Sequence, residues 1–118
     1  MTSVFVLEDD PDLRNLYTRA LKHKGYEVDQ AESAEKAVAA LSQSRPDIAV
    51  LDMSMPGLPG TVVVEYIRHH SSTPNLPIIV ISCNEDYRQE LLWADIMFIK
   101  KPINLSDLYT AVARKTLS

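Results

Sequence analysis

The stretch Pro46-Asp47-Ile48-Ala49-Val50-Leu51-Asp52, which is followed by Met53-Ser54-Met55-Pro56-Gly57, decides the fold of this chain. The four apolar residues from Ile48 to Leu51 are too few for a helix. They are typical of a strand that is buried on both faces, as in a parallel sheet. The Met-Pro-Gly sequence then predicts a turn. Asp52 is therefore expected at the carboxyl end of a central strand, the edge where open α/β sheets bind ligands.

The length and composition of the chain predict one globular domain, residues 1–118. The chain has 118 residues, of which 46% are hydrophobic and 24% are charged. These proportions are ordinary for a soluble protein that has its own hydrophobic core. The net charge of −4 gives no electrostatic reason to bind nucleic acid or an anionic membrane. Cys83 is the only cysteine, which excludes an intrachain disulfide and a four-thiolate metal site. The first apolar run is too short for a signal peptide and no run could span a membrane, so we expect a cytoplasmic protein.

Apolar runs and helical patterns alternate along the rest of the chain. The runs that predict further strands are Val4–Leu7, Tyr26–Ala31, Pro77–Ile81 and Ile96–Ile99. The second of these alternates apolar and polar residues, as a half-exposed edge strand does. Helices are predicted after the caps Asp10 and Ser33, over Thr61–His70, over Glu85–Trp93 and after the cap Asn104.

Alternating strands and helices predict the α/β class, with a doubly wound five-stranded parallel sheet and five helices on its two faces. Right-handed crossovers leave few ways to wind such a sheet, and we expect the order 2-1-3-4-5. The carboxyl ends of the strands then meet at one edge. The polar side chains gathered at this edge are Glu8, Asp9, Asp52, Ser82 and a lysine of the pair Lys100-Lys101.

The chemistry of this set favours phosphoryl transfer. Three carboxylates close together cannot all remain ionised unless a cation joins them, and oxygen ligands on a rigid strand edge suit Mg²⁺. A divalent cation, a lysine and a hydroxyl around one carboxylate are what phosphoryl transfer to that carboxylate requires. We therefore predict Asp52 as the nucleophile and an acyl phosphate as the product. Any one of these acids could equally be an ordinary turn or cap residue, but the set at several strand ends favours a site.

The chain resembles the receiver domain of bacterial two-component response regulators over nearly its whole length. The resemblance rests on Val6–Arg14, Pro46–Gly57, Pro77–Ser82 and Lys101-Pro102. No one of these is specific by itself, but together they are highly specific. The resemblance implies the flavodoxin-like receiver fold and a phosphoacceptor signalling module, which is not an enzyme beyond its own phosphorylation and dephosphorylation.

The resemblance also implies a metal site and a phosphoacceptor. Glu8 and Asp9 would hold Mg²⁺ (or Mn²⁺) together with Asp52 and the backbone carbonyl of Ser54. Asp52 would accept a phosphoryl group from a histidine kinase or a phosphotransfer protein. The first acid of the family is often Asp, and the longer Glu8 could bind the metal through water.

The remaining implied roles concern the response to phosphorylation. Ser82 and Lys101 would contact the phosphoryl oxygens, and Ser82 with Phe98 would form a switch. Phosphorylation would then change the surface made by residues 84–110, which we expect to meet a partner or a second copy of the domain as a homodimer. The aromatic candidates on that surface are Tyr87, Trp93, Phe98 and Tyr109.

The spacing before the Lys-Pro pair departs from the family pattern and leaves two registers for the fifth strand. The sequence Trp93-Ala94-Asp95 stands one residue further from the pair than the family's Gly-Ala-Asp. Aligning on Ala94 and Asp95 makes Lys100 the functional lysine and places Met97 at the aromatic position. Aligning on Lys101-Pro102 places Phe98 there, and we prefer this register because it recovers both the aromatic residue and the Lys-Pro pair.

Other functions remain on the same fold. The domain could act only as an unphosphorylated protein-binding scaffold, although the intact acid cluster argues against this. A phosphohydrolase of the haloacid dehalogenase type needs an acid two residues after its nucleophile, and position 54 is Ser. A flavin phosphate would be repelled by Glu8-Asp9-Asp10 in the first loop. The chain stops about where a receiver domain stops, so we expect either a stand-alone regulator or a domain of a longer protein.

Overall fold

A computed structural model describes residues 1–55 and 57–116 of the chain. Pro56, which belongs to the turn predicted after the central strand, lies outside the described residues. The strands are β1 Ser3–Leu7, β2 Glu27–Ala31, β3 Ile48–Asp52, β4 Ile78–Ser82 and β5 Met97–Lys100. The helices are α1 Pro11–His23, α2 Ala34–Leu41, α3 Thr61–His69, α4 Asp86–Glu90 and α5 Leu105–Thr116, with a 3₁₀ turn at Leu92–Ala94.

The strands form one parallel sheet in the order β2-β1-β3-β4-β5. The predicted fold class and strand order are therefore confirmed. All five residues of β3 are buried, as expected for a central strand that has a neighbour on each side and helices on both faces. β2 is largely exposed and lies at one edge, which confirms the edge strand predicted from its alternating pattern.

The sheet separates two apolar cores. The apolar odd-numbered residues of β1 and β3, such as Phe5 and Leu51, pack with α2 and α3. The even-numbered ones, such as Val6 and Val50, pack with α1 and α5. This division follows from the two-residue period of a strand, which sends successive side chains to opposite faces. Within the part of the chain that the structure describes, no helix has the length and apolar character to cross a membrane.

Side-chain caps begin three of the helices, as the sequence predicts. The carboxylate of Asp10 accepts hydrogen bonds from the backbone N–H groups of Asp12 (2.9 Å) and Leu13 (3.3 Å). Ser33 Oγ accepts one from the N–H of Lys36 at 3.2 Å. Asn104 Oδ1 accepts one from the N–H of Asp107 at 2.8 Å. These bonds satisfy donors that have no partner inside the helix.

The fourth helix differs from its prediction. The sequence predicts one helix over Glu85–Trp93, but α4 ends at Glu90 and the chain continues through Leu91 into the 3₁₀ turn. Leu91 and Ala94 are both buried in the core between the sheet and α3. A 3₁₀ turn aligns residues three apart, so it directs both side chains to the same core. The burial of these two residues therefore explains why α4 ends at Glu90 and does not continue as one helix to Trp93.

Candidate functional site

Three carboxylates meet at the carboxyl edge of the sheet. Leu7 of β1 lies opposite Leu51 of β3, so Glu8 and Asp52, the next residues along each strand, are neighbours. Together with Asp9 they offer one oxygen each within 4.8 Å of the others. Glu8 is only 1% exposed and Asp52 only 2% exposed, so this concentration of negative charge lies largely out of water.

Burial has a direct electrostatic consequence for Glu8. Its removal from water and the nearby Asp52 carboxylate raise its pKa to about 7, although Lys101 acts in the opposite direction. Ionisation of Glu8 beside the Asp52 carboxylate is therefore disfavoured in this arrangement. A bound cation would favour the ionised form instead.

Lys101 is the lysine that the fold brings to the carboxylates. Its Nζ lies 3.0 Å from Glu8 Oε1 and 3.4 Å from Asp52 Oδ1. Burial lowers the pKa of Lys101, but the hydrogen bond to Glu8 and the charge of Asp52 outweigh this effect and raise it. The Nζ of Lys100 points elsewhere, 3.9 Å from an exposed Glu85 carboxylate. Of the two registers left by the sequence, the geometry follows the one aligned on Lys101.

The end of β5 explains this placement. Lys100 lies opposite Ser82 in the sheet, and the backbone N–H of Lys101 donates to the carbonyl of Ser82 at 2.9 Å. Lys101 therefore stands level with the carboxyl end of β4. The peptide bond between Lys101 and Pro102 is cis.

Two serines border Asp52. The backbone N–H of Ser54 donates to Asp52 Oδ1 at 3.2 Å, and Ser54 Oγ lies 3.1 Å from Ser82 Oγ. Ser82 is fully buried, and its hydroxyl also accepts a hydrogen bond from the backbone N–H of Asn84 at 3.0 Å. Both hydroxyls thus lie near the carboxyl ends of β3 and β4.

One oxygen of Asp52 has no partner. Asp52 Oδ2 is buried and makes no hydrogen bond to any part of the chain that the structure describes. A buried carboxylate oxygen without a partner is uncommon, since its desolvation is then uncompensated. An ion or a covalently attached group at this oxygen would supply the missing interaction.

Phe98 is placed on the opposite side of β5 from Lys101. Its ring packs into the core shared with α3, whereas Met97 and Ile99 pack into the other core. The guanidinium carbon of Arg88 lies 4.7 Å from the centre of the Phe98 ring, a cation–π contact. Phe98 is half-buried, and Arg88 of α4 covers one face of its ring.

The aromatic residues predicted to share one surface are separated. Tyr87 packs in the same core as Phe98. Trp93 instead stacks on His69 of α3. Tyr109 packs on the other side of the sheet, with Lys24 Nζ 4.7 Å from its ring centre. The four aromatic candidates of residues 84–110 are therefore divided between the two faces of the sheet and do not all pack together.

Arg68 of α3 is a structural residue that the sequence did not single out. Its guanidinium donates to the carbonyls of Pro74 (2.9 Å) and Leu76 (2.7 Å) before β4. It also donates to those of Ala94 (2.7 Å) and Asp95 (3.3 Å) before β5. Arg68 thus fixes the entry of the two strands that carry Ser82 and lead to Lys101. An arginine in the last turn of a helix carries no sequence signal for this role, because it is also the ordinary place for a solvated cation.

The chain matches one protein family over most of its length. The sequence model of the response regulator receiver domain covers residues 4–113. The chain therefore belongs to the response regulator receiver domain family, the signal-transduction modules of two-component systems.

Individual relatives agree with this assignment. The chain is 30% identical over 119 residues to the response regulator MprA of Mycolicibacterium vanbaalenii, covering 96% of this chain and 51% of MprA. It spans about half the length of the curated relatives that it matches. Among solved structures it is similar to the response regulator TrrA of Thermotoga maritima in complex with Mg²⁺-BeF, at TM-score 0.87, 32% identity and coverage of 98% and 99%. It is also similar to the chemotaxis protein CheY4 of Vibrio cholerae, at TM-score 0.89, 26% identity and coverage of 97% and 98%.

Proposed function

We propose that this domain is a phosphoacceptor in a two-component phosphorelay and that Asp52 receives the phosphoryl group. The observation that carries the proposal is the buried Asp52 carboxylate, which has one unpartnered oxygen. Lys101 Nζ lies 3.4 Å from the other oxygen, which also accepts a hydrogen bond from the backbone N–H of Ser54 at 3.2 Å. The hydroxyls of Ser54 and Ser82 lie 3.1 Å from each other at the same edge of the sheet. A nucleophile, a cation and hydroxyl groups at one strand end are the parts that phosphoryl transfer needs.

In the proposed reaction, a carboxylate oxygen of Asp52 attacks the phosphorus of a phosphohistidine. The new O–P bond makes an aspartyl phosphate as the P–N bond breaks, and the leaving imidazole nitrogen keeps the electron pair and takes up a proton. The ammonium group of Lys101 balances charge on the phosphoryl oxygens, and Ser82 can turn its hydroxyl to them. The phosphodonor is a histidine kinase or a phosphotransfer protein.

The residues present fit a magnesium ion. Glu8, Asp9 and Asp52 supply carboxylate oxygens within 4.8 Å of one another, and Ser54 would add its backbone carbonyl. Oxygen ligands are those that Mg²⁺ prefers, and Mn²⁺ accepts them as well. When bound, the ion would neutralise charge between the carboxylates and the phosphoryl group. The related TrrA was solved with Mg²⁺-BeF, which supports the same ligand class here.

Labelling by a small phosphodonor tests the proposal. Incubation with acetyl phosphate and Mg²⁺ should add one phosphoryl group per chain, seen by intact-protein mass spectrometry. Hydroxylamine should remove it, because hydroxylamine cleaves acyl phosphates and leaves phosphoserine intact. A domain that acts only as a scaffold would remain unlabelled, and that result would contradict the proposal.

Metal binding and stability should both depend on pH through Glu8. The raised pKa of Glu8, about 7 against an ordinary 4.5, means that its protonated form stabilises the metal-free fold. This contribution is complete below pH 4.5 and is lost as pH rises through about 7. Mg²⁺ binds the ionised form of Glu8, so the affinity of the domain for Mg²⁺ should rise as the pH increases through about 7. Mg²⁺ at 100 times its dissociation constant should add about 2.7 kcal/mol to the free energy of unfolding.

Denaturant titrations of wild type and Glu8→Gln, with and without Mg²⁺, measure these effects. Without metal, wild type should lose stability relative to Glu8→Gln as pH rises from 4.5 to above 7. A stability difference that is independent of pH would show that Glu8 is not the titrating group. No stabilisation by Mg²⁺ at pH 8 would contradict the metal site.

The two adjacent lysines should behave differently. Lys101→Met removes the cation at the carboxylates and should slow labelling by acetyl phosphate at least tenfold, about 1.4 kcal/mol or more in activation free energy. Lys100→Met removes an exposed ion pair with Glu85 and should leave labelling within about twofold, because exposed pairs contribute little. The rates of single-turnover labelling of the two variants test this prediction. A slower rate for Lys100→Met than for Lys101→Met would favour the register aligned on Ala94 and Asp95.

Phosphorylation should also move Ser82 and Phe98. The Ser82 hydroxyl has alternative partners in Ser54 and Asn84, and turning it to a phosphoryl oxygen would free space near Phe98. A local modification can change a distant surface only through an element that has two alternative arrangements, and Ser82 with Phe98 would be that element. NMR shifts with and without beryllofluoride should therefore extend through residues 84–110. Shifts confined to the loops around Asp52 would contradict the coupling between Asp52 and this surface. An unchanged sedimentation coefficient on addition of beryllofluoride would contradict homodimer formation through residues 84–110.

A further inference from the structure

A shallow groove lies between α3 and the segment that follows α4. Its volume is about 330 Å³. The residues that line it are Thr61, Val62, Glu65, Glu90, Leu91 and Trp93. We call it the Trp93 groove.

The groove presents an exposed aromatic side chain over an apolar floor. Leu91 is buried and Val62 is half-buried beneath it. Trp93 is 51% exposed. An exposed apolar side chain that adjoins further apolar groove residues indicates an interaction surface more strongly than a single scattered one. Tryptophan is also the residue type most enriched among those that dominate binding energy at interfaces.

Trp93 is held in place before any partner arrives. Its indole stacks on the imidazole of His69, with ring centres 5.2 Å apart and planes 20° from parallel. His69 Nε2 is in turn 3.8 Å from Glu65 Oε1. A side chain that is already oriented loses less conformational freedom on binding. The stack therefore favours Trp93 as a fixed anchor for a partner.

The charge around the groove selects the kind of partner. Carboxylates lie on both walls, Glu65 on α3 and Glu90 at the end of α4. Over residues 1–55 and 57–116, Glu65 pairs only with His69 and Glu90 forms no ion pair. A partner with Lys or Arg beside an apolar anchor would be complementary to this arrangement.

A second copy of the chain fits this groove poorly. A two-fold contact places the same patch of both copies face to face. The two Glu65 and two Glu90 side chains would then be brought together without cations to balance them. The groove therefore favours a different protein over a second copy docked at the groove itself.

We propose that the Trp93 groove docks a helical segment of another protein, in which a large apolar side chain is flanked by Lys or Arg. An amphipathic helix laid in an apolar groove is a common mode of peptide recognition. The inference concerns the unmodified domain and does not require phosphorylation of Asp52, because no groove residue belongs to the carboxylate cluster.

Selection of peptides from a displayed random library against the unmodified domain tests this proposal. The enriched peptides should combine Leu, Phe or Trp with Lys or Arg at helical spacing. A synthetic copy of the strongest binder should shift the emission of Trp93, which is the only tryptophan in the chain. Enrichment of acidic peptides, or binding that leaves Trp93 emission unchanged, would overturn the proposal.

Fluorescence anisotropy of a labelled copy of this peptide measures its affinity for variants of the domain, and the variants that weaken binding locate the binding site. Trp93→Ala and the pair Glu65→Lys with Glu90→Lys should each weaken the peptide at least tenfold. The matched pair Glu27→Lys with Glu35→Lys makes the same change in net charge at exposed sites on β2 and α2, and it should weaken binding less than threefold. Melting curves establish that each variant is folded. Equal weakening by both charge pairs would overturn the proposal, as would self-association of wild type that Trp93→Ala abolishes.

Discussion

Asp52→Asn should reduce labelling by acetyl phosphate to background. Asparagine has nearly the same shape, but its amide does not supply a nucleophilic oxygen, so no acyl phosphate can form. Removal of a covalent nucleophile eliminates the reaction path rather than slowing one step of it. Mass spectrometry of the treated protein measures the loss directly.

Asp47→Asn is the matched control for this experiment. Asp47 precedes the same strand but is exposed, and its carboxylate accepts a hydrogen bond from the backbone N–H of Ser3 at 2.8 Å. It lies at the opposite end of β3 from Asp52 and should have no part in the reaction. Labelling of Asp47→Asn should therefore equal that of wild type. Full labelling of Asp52→Asn would show that another residue is the acceptor.

Gly60→Ala should be strongly destabilising for a reason visible only in three dimensions. A Cβ atom at Gly60 would overlap the backbone carbonyl oxygen of Asp52 and press on the side chain of Met53. The backbone at Gly60 and the backbone at Asp52 cannot move apart without displacing the end of β3. We expect a loss of about 3 kcal/mol in the free energy of unfolding, at the upper end for overpacked cores. Labelling of Asp52 should fall as well under conditions where the variant is still folded.

Gly25→Ala separates this steric effect from a general glycine effect. Gly25 has a positive φ of 97° but open space where a Cβ would lie. The substitution should cost about 1 kcal/mol through backbone strain alone. It should leave labelling unchanged, since Gly25 follows α1 at the far end of the sheet. Equal effects of the two variants on labelling would contradict the close contact between Gly60 and Asp52.

The elements with local signals could be predicted from the sequence. Short apolar runs specify strands because a buried parallel strand needs apolar residues on both faces. Asp10, Ser33 and Asn104 mark helix starts because their side chains satisfy free backbone donors. Once the strands are known, handedness and connection rules nearly determine the sheet order. That order in turn brings Glu8 and Asp52 together.

The features that depend on distant contacts could not be predicted. The break after Glu90 follows from the burial of Leu91 and Ala94 against α3, which the helical pattern does not report. The placement of Lys101 depends on how β5 pairs with β4, whereas the sequence left two registers open. The stack between Trp93 and His69 joins two elements whose approach is set by the whole fold. In each case, packing between elements decides what the local pattern leaves undetermined.

Location of the phosphorylated residue is the most direct test of the proposed function. Borohydride reduces an aspartyl phosphate to homoserine, which tandem mass spectrometry identifies at a single position of the chain. After treatment with acetyl phosphate and Mg²⁺, we predict homoserine at position 52 and at no other position. Homoserine elsewhere, or none in protein that has gained a phosphoryl group, would contradict Asp52 as the phosphoacceptor.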